Sequence, residues 1–179
     1  MTRITCIASG PSLTREDCEV ARRMSDFVIA INDSWRMADR PDAIYAGDYA
    51  WWERNVQNVP AGIQKWTCML VAAERFRLSY HAPIRRGAYN SGQRAIELAL
   101  RLGARRVLLL GYDCTVSRGT HWHADHPGGL SKNPDAKRCE QWQEQFASIE
   151  TNGAAVINCS RHTELRAFPR ATLEEESAF

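Results

Sequence analysis

The chain has 179 residues, enough for one sizeable core and short for two. Hydrophobic residues make up 44% and charged residues 25%, values near the globular average that exclude a disordered or fibrous chain. The 23 basic and 21 acidic residues are spread along the sequence, so the net charge of +2 builds no basic stripe and no nucleic-acid partner is expected.

No apolar stretch approaches the roughly 20 residues of a membrane-spanning helix. The opening TRITCIASG is too short in apolar residues for a secretory signal, so a cytoplasmic protein without a transmembrane segment is expected. Cys6, Cys18, Cys68, Cys114, Cys139 and Cys159 form no CxxC pair and no zinc-ribbon spacing, which suits free thiols in a reducing compartment. The sequence leaves a homo-oligomer open.

In chain order, Ile4 to Ser9 reads as a strand, Gly10 to Leu13 as a tight turn, and the polar stretch toward Met24 as a helix. Phe27 to Ile31 is a second apolar run, closed by Asn32, Asp33 and Ser34. A third, Ala43 to Ala46, ends at Gly47 and Asp48 and is followed by the aromatic segment Tyr49 to Trp52. Lys65 to Ala72 reads as a fourth strand.

The stretch from Asn90 to Thr115 carries the strongest signal. Ser91 is placed to cap a helix whose apolar face is Ala95, Ile96, Leu98, Ala99 and Leu102, with Gly103 to stop it. Val107 to Leu110 then form an unbroken apolar run, as in strands covered on both faces. A loop of about 19 residues, 116–134, exceeds ordinary connections and reads as a lid. Asp135 to Asn152 is an amphipathic helix with Cys139, Trp142, Phe146 and Ile149 on one side, and Ala155 to Cys159 is the last core strand. Only short polar segments and a weak acidic helix follow.

The alternation predicts an α/β, Rossmann-like single domain over 1–179, a mostly parallel sheet with helices on both faces and the lid at 116–134. Polar groups end successive apolar runs: Ser9 and Gly10, Asn32 and Asp33, Gly47 and Asp48, and Gly111, Tyr112 and Asp113. In a parallel sheet they converge on the carboxyl edge, where α/β folds bind ligands. The turn Ser9, Gly10, Pro11, Ser12 is placed to meet a phosphate with its amides and the Ser12 hydroxyl. Asn32 suits a base or ribose, and Asp48 or Asp113 a hydroxyl or a metal.

His121, His123, Asp125 and His126, in the order HWHADH, are the densest group of titratable side chains. The pattern favours a catalytic or substrate-touching histidine over a dedicated metal site. Trp51, Trp52 and Trp122 are candidates to stack on a ligand ring. The arginine pairs at 22–23, 85–86 and 105–106 each suit a solvated turn better than a phosphate.

With these residues in place, the chain resembles the bacterial sialyltransferase-like superfamily, the Campylobacter-type sialyltransferases and the related pterin pyrophosphokinase-like proteins. Gly10 to Leu13 looks like that family's GPSL loop, and Asn32 after Ala30-Ile31 like its second-strand asparagine. Ser91-Gly92 with the following helix, Gly111-Tyr112-Asp113, and Ser131-Lys132-Asn133 with Asp135 are similar to its SG, GxD and SKN elements. The departures are equally specific. Leu130 stands where the sialyltransferases carry a catalytic histidine, Cys114 and Thr115 where they carry tyrosines, and Ser9 where they carry an asparagine.

The resemblance implies a nucleotide-dependent transferase, with glycosyl (sialyl-like) transfer from a CMP-sugar to an acceptor the sequence does not name. Ser9, Gly10, Pro11, Ser12, Asn32, Asp48, Asn90, Ser91, Gly92 and Gly111 would hold the nucleotide, and His121, His123, His126 and Asp113 would serve catalysis. That chemistry requires no cofactor. Diphosphate transfer from ATP to a small alcohol, the alternative, would require Mg²⁺. A nucleotide-binding protein without catalysis is the third reading.

Overall fold

β1 (Arg3–Ile7), whose β-branched and thiol side chains bury on both faces, is an interior strand of the sheet, paired on both sides. The computed structural model describes residues 2–84, 87, 89–123 and 133–178. Thr14 then caps α1 (Arg15–Met24) by accepting from the Asp17 amide. β2 (Phe27–Ile31) leads into a 3-10 turn over Asn32–Arg36, and β3 (Ala43–Tyr45) into α2 (Tyr49–Asn55), capped by Asp48.

β4 (Gln64–Thr67), α3 (Leu70–Phe76) and β5 (Ser79–Tyr80) complete this half. The second half runs α4 (Ser91–Arg101), β6 (Arg106–Leu110), α5 (Ala136–Ala147), β7 (Ala155–Asn158) and α6 (Leu173–Ser177). The seven strands form one sheet in the order β5-β4-β3-β2-β1-β6-β7, and every pairing is parallel. The chain therefore winds outward from β1 to one edge, returns over α4, and resumes on the other side of β1.

Helices cover both faces, as the alternation predicts. On one side Ile7, Val28, Ala30, Leu108 and Leu110 pack with Cys18 and Ala21 of α1 and Leu173 of α6, and Ile44 and Ala46 with Trp51 and Trp52 of α2. On the other, Cys6, Ile29, Tyr45 and Leu109 pack with Ala95, Ile96, Leu98 and Ala99 of α4 and with Cys139 and Phe146 of α5. Burying such a side chain contributes about 1.5–3 kcal/mol, and the apolar strand runs are read correctly from sequence for this reason. All six cysteines are buried and free.

Three details differ from the sequence reading. Asn90, not Ser91, caps α4 through its side-chain oxygen and the Gln93 amide at 2.7 Å. Lys65 to Ala72 is not one strand: Thr67 Oγ1 accepts from the Met69 amide, turning the chain into α3. β5 goes unpredicted because two exposed residues carry no periodicity. Ion pairing also explains two arginine pairs. Arg22 bonds Asp42 and Arg106 clamps Glu176, while residues 85 and 86 lie outside the described residues.

Candidate functional site

Strand order reverses between β1 and β6, and a crevice opens at the carboxyl ends of strands beside such a switch point. A cleft of about 340 Å³ lies there, within the size range of small-molecule sites. Ser9, Gly10, Pro11, Asn32, Gly47, Asp48, Asn90, Ser91, Gly92, Gly111, Asp113 and His121 all line it. The structure thus gathers onto one wall system most of the residues that the sequence singles out, from segments as far apart as residues 9 and 121.

The β1 turn departs from its expected role. The Ser12 amide and hydroxyl both donate to the Asp113 carboxylate, at 2.8 and 2.6 Å, and the Gly10 amide donates to the Gly111 carbonyl at 2.9 Å. The donors expected to meet a phosphate thus have protein acceptors, the Asp113 carboxylate for Ser12 and the Gly111 carbonyl for Gly10. Glycine is required here by contact with protein rather than ligand. A Cβ on Gly10 would fall 2.4 Å from Asp113 Oδ1, and Gly111, at φ +68, would place one 2.4 Å from the Ala8 carbonyl. Burial raises the Asp113 pKa above its ordinary value of 3.8, against the two Ser12 hydrogen bonds that lower it.

The opposite side of the cleft holds donors that the fold leaves unused. Ser91 and Gly92 open α4, and their amides have no acceptor among the described residues, while Asn90 already serves Gln93. The Ser91 hydroxyl accepts from the Gly47 amide at 3.1 Å, and Tyr89 donates to the Gly47 carbonyl at 2.7 Å, so this wall is tied to the end of β3. Asn32, at the end of β2 with φ 49, presents a buried Oδ1 that has no hydrogen-bond partner among the described residues. An amide left unmatched by the fold is suited to a ligand's donor.

His121 Nδ1 lies 2.9 Å from Ser9 Oγ, and the Trp122 amide donates to the Ser9 carbonyl at 3.0 Å. These bonds dock the start of the 116–134 segment over β1. His123 stacks on His121 with ring centroids 5.0 Å apart and does not line the cleft. His126, Asp125, Leu130, Ser131 and Lys132 lie outside the described residues.

No protein-family model matches the chain, and no curated protein matches it.

Two tryptophans expected at a ligand are elsewhere. Trp51 and Trp52 are buried against each other, and their indole N–H groups donate to Asp33 and to the Ala46 carbonyl, so both serve the core. Trp142 of α5 lines the cleft instead, with Arg138 one turn before it and Phe146 one turn after. Sequence reasoning placed Trp142 and Phe146 on an apolar face and passed over Arg138. The i, i+4, i+8 spacing was the available signal. Tyr112, Cys114, Thr115 and Thr120 complete the lining. Burial pushes the Cys114 thiol up to about 12, which keeps it a neutral packing group.

Asp113 and Asp48, the residues expected to meet a hydroxyl or Mg²⁺, also serve the fold. Both Asp113 oxygens accept from Ser12, and Asp48 Oδ1 accepts from the Trp51 amide to cap α2. No group of three or more His, Cys, Asp or Glu gathers as a metal site among the described residues. No helix among them is long and apolar enough to cross a membrane.

Proposed function

We propose that the protein is a nucleotide-dependent glycosyltransferase whose donor, a CMP-sugar by preference, lies in the cleft at the β1–β6 switch point. The observation that carries this reading is the pairing of unused donors at Ser91 and Gly92, backed by the α4 dipole, with the unmatched Asn32 amide across the sheet edge. A nucleotide needs both: amides for its phosphate, and an amide side chain for its base or ribose. The resemblance of GPSL, Asn32, Ser91-Gly92 and the GxD block to the sialyltransferase-like superfamily supports the cytidine donor.

In the reaction, an acceptor hydroxyl attacks the anomeric carbon as the bond from that carbon to the phosphate oxygen breaks. The bonding pair leaves with the nucleotide phosphate, where the α4 amides stabilise it. The acceptor proton passes to His121. Ser9 Oγ lies 2.9 Å from Nδ1 and orients the ring, and in the tautomer whose Nδ1–H donates to Ser9 the buried Nε2 carries the lone pair that takes the proton. Leu130 replaces the family's histidine, and His121 supplies the same function from the preceding segment.

A thermal-shift titration with CMP, CMP-sialic acid, UDP-sugars, ATP and GTP tests the reading, with and without Mg²⁺. A ligand that binds the native state raises its stability by mass action. The expected result is a metal-independent shift with the cytidine nucleotides, and donor turnover that His121→Asn abolishes while leaving CMP binding intact. Stabilisation by ATP alone and only with Mg²⁺ would replace glycosyl transfer with diphosphate transfer.

A further inference from the structure

We infer that Arg138 and Trp142 form a second subsite in the cleft, one that takes a sugar ring carrying a carboxylate or phosphate as the acceptor. The inference rests on the transferase reading and names the class of its second substrate.

α5 is capped at Asp135 and runs along the cleft so that Arg138, Trp142 and Phe146 fall on one face. Each has a different fate. Phe146 is buried, edge-on to Tyr112 at 5.7 Å, and belongs to the core. Trp142 is half-buried, packed on the core from one side and lining the cleft from the other. Arg138 is exposed, and its guanidinium makes no hydrogen bond or ion pair among the described residues. Its neighbours are used differently: Arg166 pairs with Glu140, and Arg118 bonds His162.

Among the described residues, Arg138 is the one lysine or arginine in the lining. The negative groups there, Asp48 and Asp113, are already engaged by Trp51 and Ser12. The cation thus faces a space whose acidic groups are satisfied. A planar guanidinium in that position suits a carboxylate or phosphate, which it binds with two parallel hydrogen bonds. An indole one helical turn away offers a flat apolar surface about the width of a sugar ring. The unused amides of Ser91 and Gly92 belong to a separate element, so α5 supplies contacts that a nucleotide phosphate at α4 does not need. A nucleotide and an anionic sugar therefore take different walls.

Saturation-transfer NMR with glucuronate, glucose 6-phosphate and glucose, each with and without saturating CMP, tests the assignment. The expected result is saturable transfer to the ring protons of one or both anionic sugars, with binding roughly tenfold tighter than for glucose, the worth of a charge-assisted hydrogen bond. The two anionic probes separate a carboxylate site from a phosphate site. Arg138→Gln removes the preference over glucose, Arg138→Lys keeps part of it, and Trp142→Leu weakens all three sugars while leaving the CMP thermal shift unchanged. Equal binding of the three sugars, no binding of any, or an anionic preference that survives Arg138→Gln would overturn the subsite. If CMP gives no shift while the Arg138-dependent preference is present, the nucleotide reading falls and the anion subsite stands.

Discussion

Ser12 holds the Asp113 carboxylate with two donors, its amide at 2.8 Å and its hydroxyl at 2.6 Å, and so joins the turn after β1 to the end of β6. The two residues stand 101 positions apart in sequence and face each other across the strand reversal that creates the cleft. Their pairing fixes Asp113 in the lining of the cleft. It also gives both donors of Ser12, in the glycine-proline-serine turn, an acceptor within the protein.

Asp113→Asn tests that role. One of the two Ser12 donors would then meet an amide NH₂ instead of an oxygen, an unsatisfied arrangement that costs roughly 1–3 kcal/mol. The sign with pH follows from the raised native pKa. Between the unfolded value near 3.8 and the higher native value the folded state holds the proton more tightly, so this residue's stabilising contribution falls as pH rises through that window. Urea unfolding of wild type and Asp113→Asn at several pH values should show the decline in the first and its loss in the second.

His81 predicts the opposite slope. It is buried 1% exposed near α4, and burial first, then Arg101 and Arg94, lower its pKa from 6.5 to about 4. The native state therefore refuses a proton that the unfolded chain accepts. Stability present above pH 6.5 is lost as pH falls toward 4, by about 3 kcal/mol at most from this residue. His81→Phe should flatten the acid limb of the stability curve. An unchanged limb would place the loss on other groups.

Much of this arrangement is legible in the sequence because the strands are short apolar runs ended by polar residues. Phe27 to Ile31 and Val107 to Leu110 suit strands covered on both faces, and parallel order then brings Ser9, Asn32, Asp48 and Asp113 to one edge. What the sequence hides is how each polar group is spent. Nothing local distinguishes Ser12, held by Asp113, from Ser91, whose amide has no acceptor among the described residues. Trp51 and Trp142 are equally aromatic in sequence, and only packing sends one to the core and the other to the wall. Arg138 was missed because an isolated arginine on a helix is ordinary until the cleft beside it is known.

Gly47 ties β3 to the α4 wall, and its lack of a side chain is used by Tyr89. A Cβ there would sit 2.6 Å from Tyr89 Cε2, too close for any real contact. Gly47→Ala should displace the tyrosine ring, break its hydrogen bond to the Gly47 carbonyl and cost about 1–3 kcal/mol, the range of overpacked sites. Tyr89→Phe removes the hydrogen bond alone and should cost about 1 kcal/mol. Thermal unfolding of the two variants separates the steric effect from the polar one, and similar losses in both would show that the glycine is not needed for space.

Asn32 offers the most direct test of the nucleotide site, provided the substitution respects its backbone. With φ at 49 it occupies the left-handed region, which asparagine tolerates and alanine does not. Asn32→Ala would mix backbone strain with the loss of the amide. Asn32→Gly keeps the conformation and removes only the side chain, whose Oδ1 meets no partner among the described residues. Because the Oδ1 accepts no hydrogen bond among the described residues, the melting temperature should fall by only a few degrees, the cost of glycine's added freedom in the unfolded chain. CMP affinity, measured by calorimetry, should fall roughly tenfold, as expected for one ligand hydrogen bond lost from a desolvated group. Asn32→Asp keeps the shape and the oxygen but loses the NH₂ donor and adds a negative charge, so it should weaken CMP further through repulsion of the phosphate. Wild-type affinity in Asn32→Gly would remove this residue from the site and leave the α4 amides as the nucleotide's principal contact.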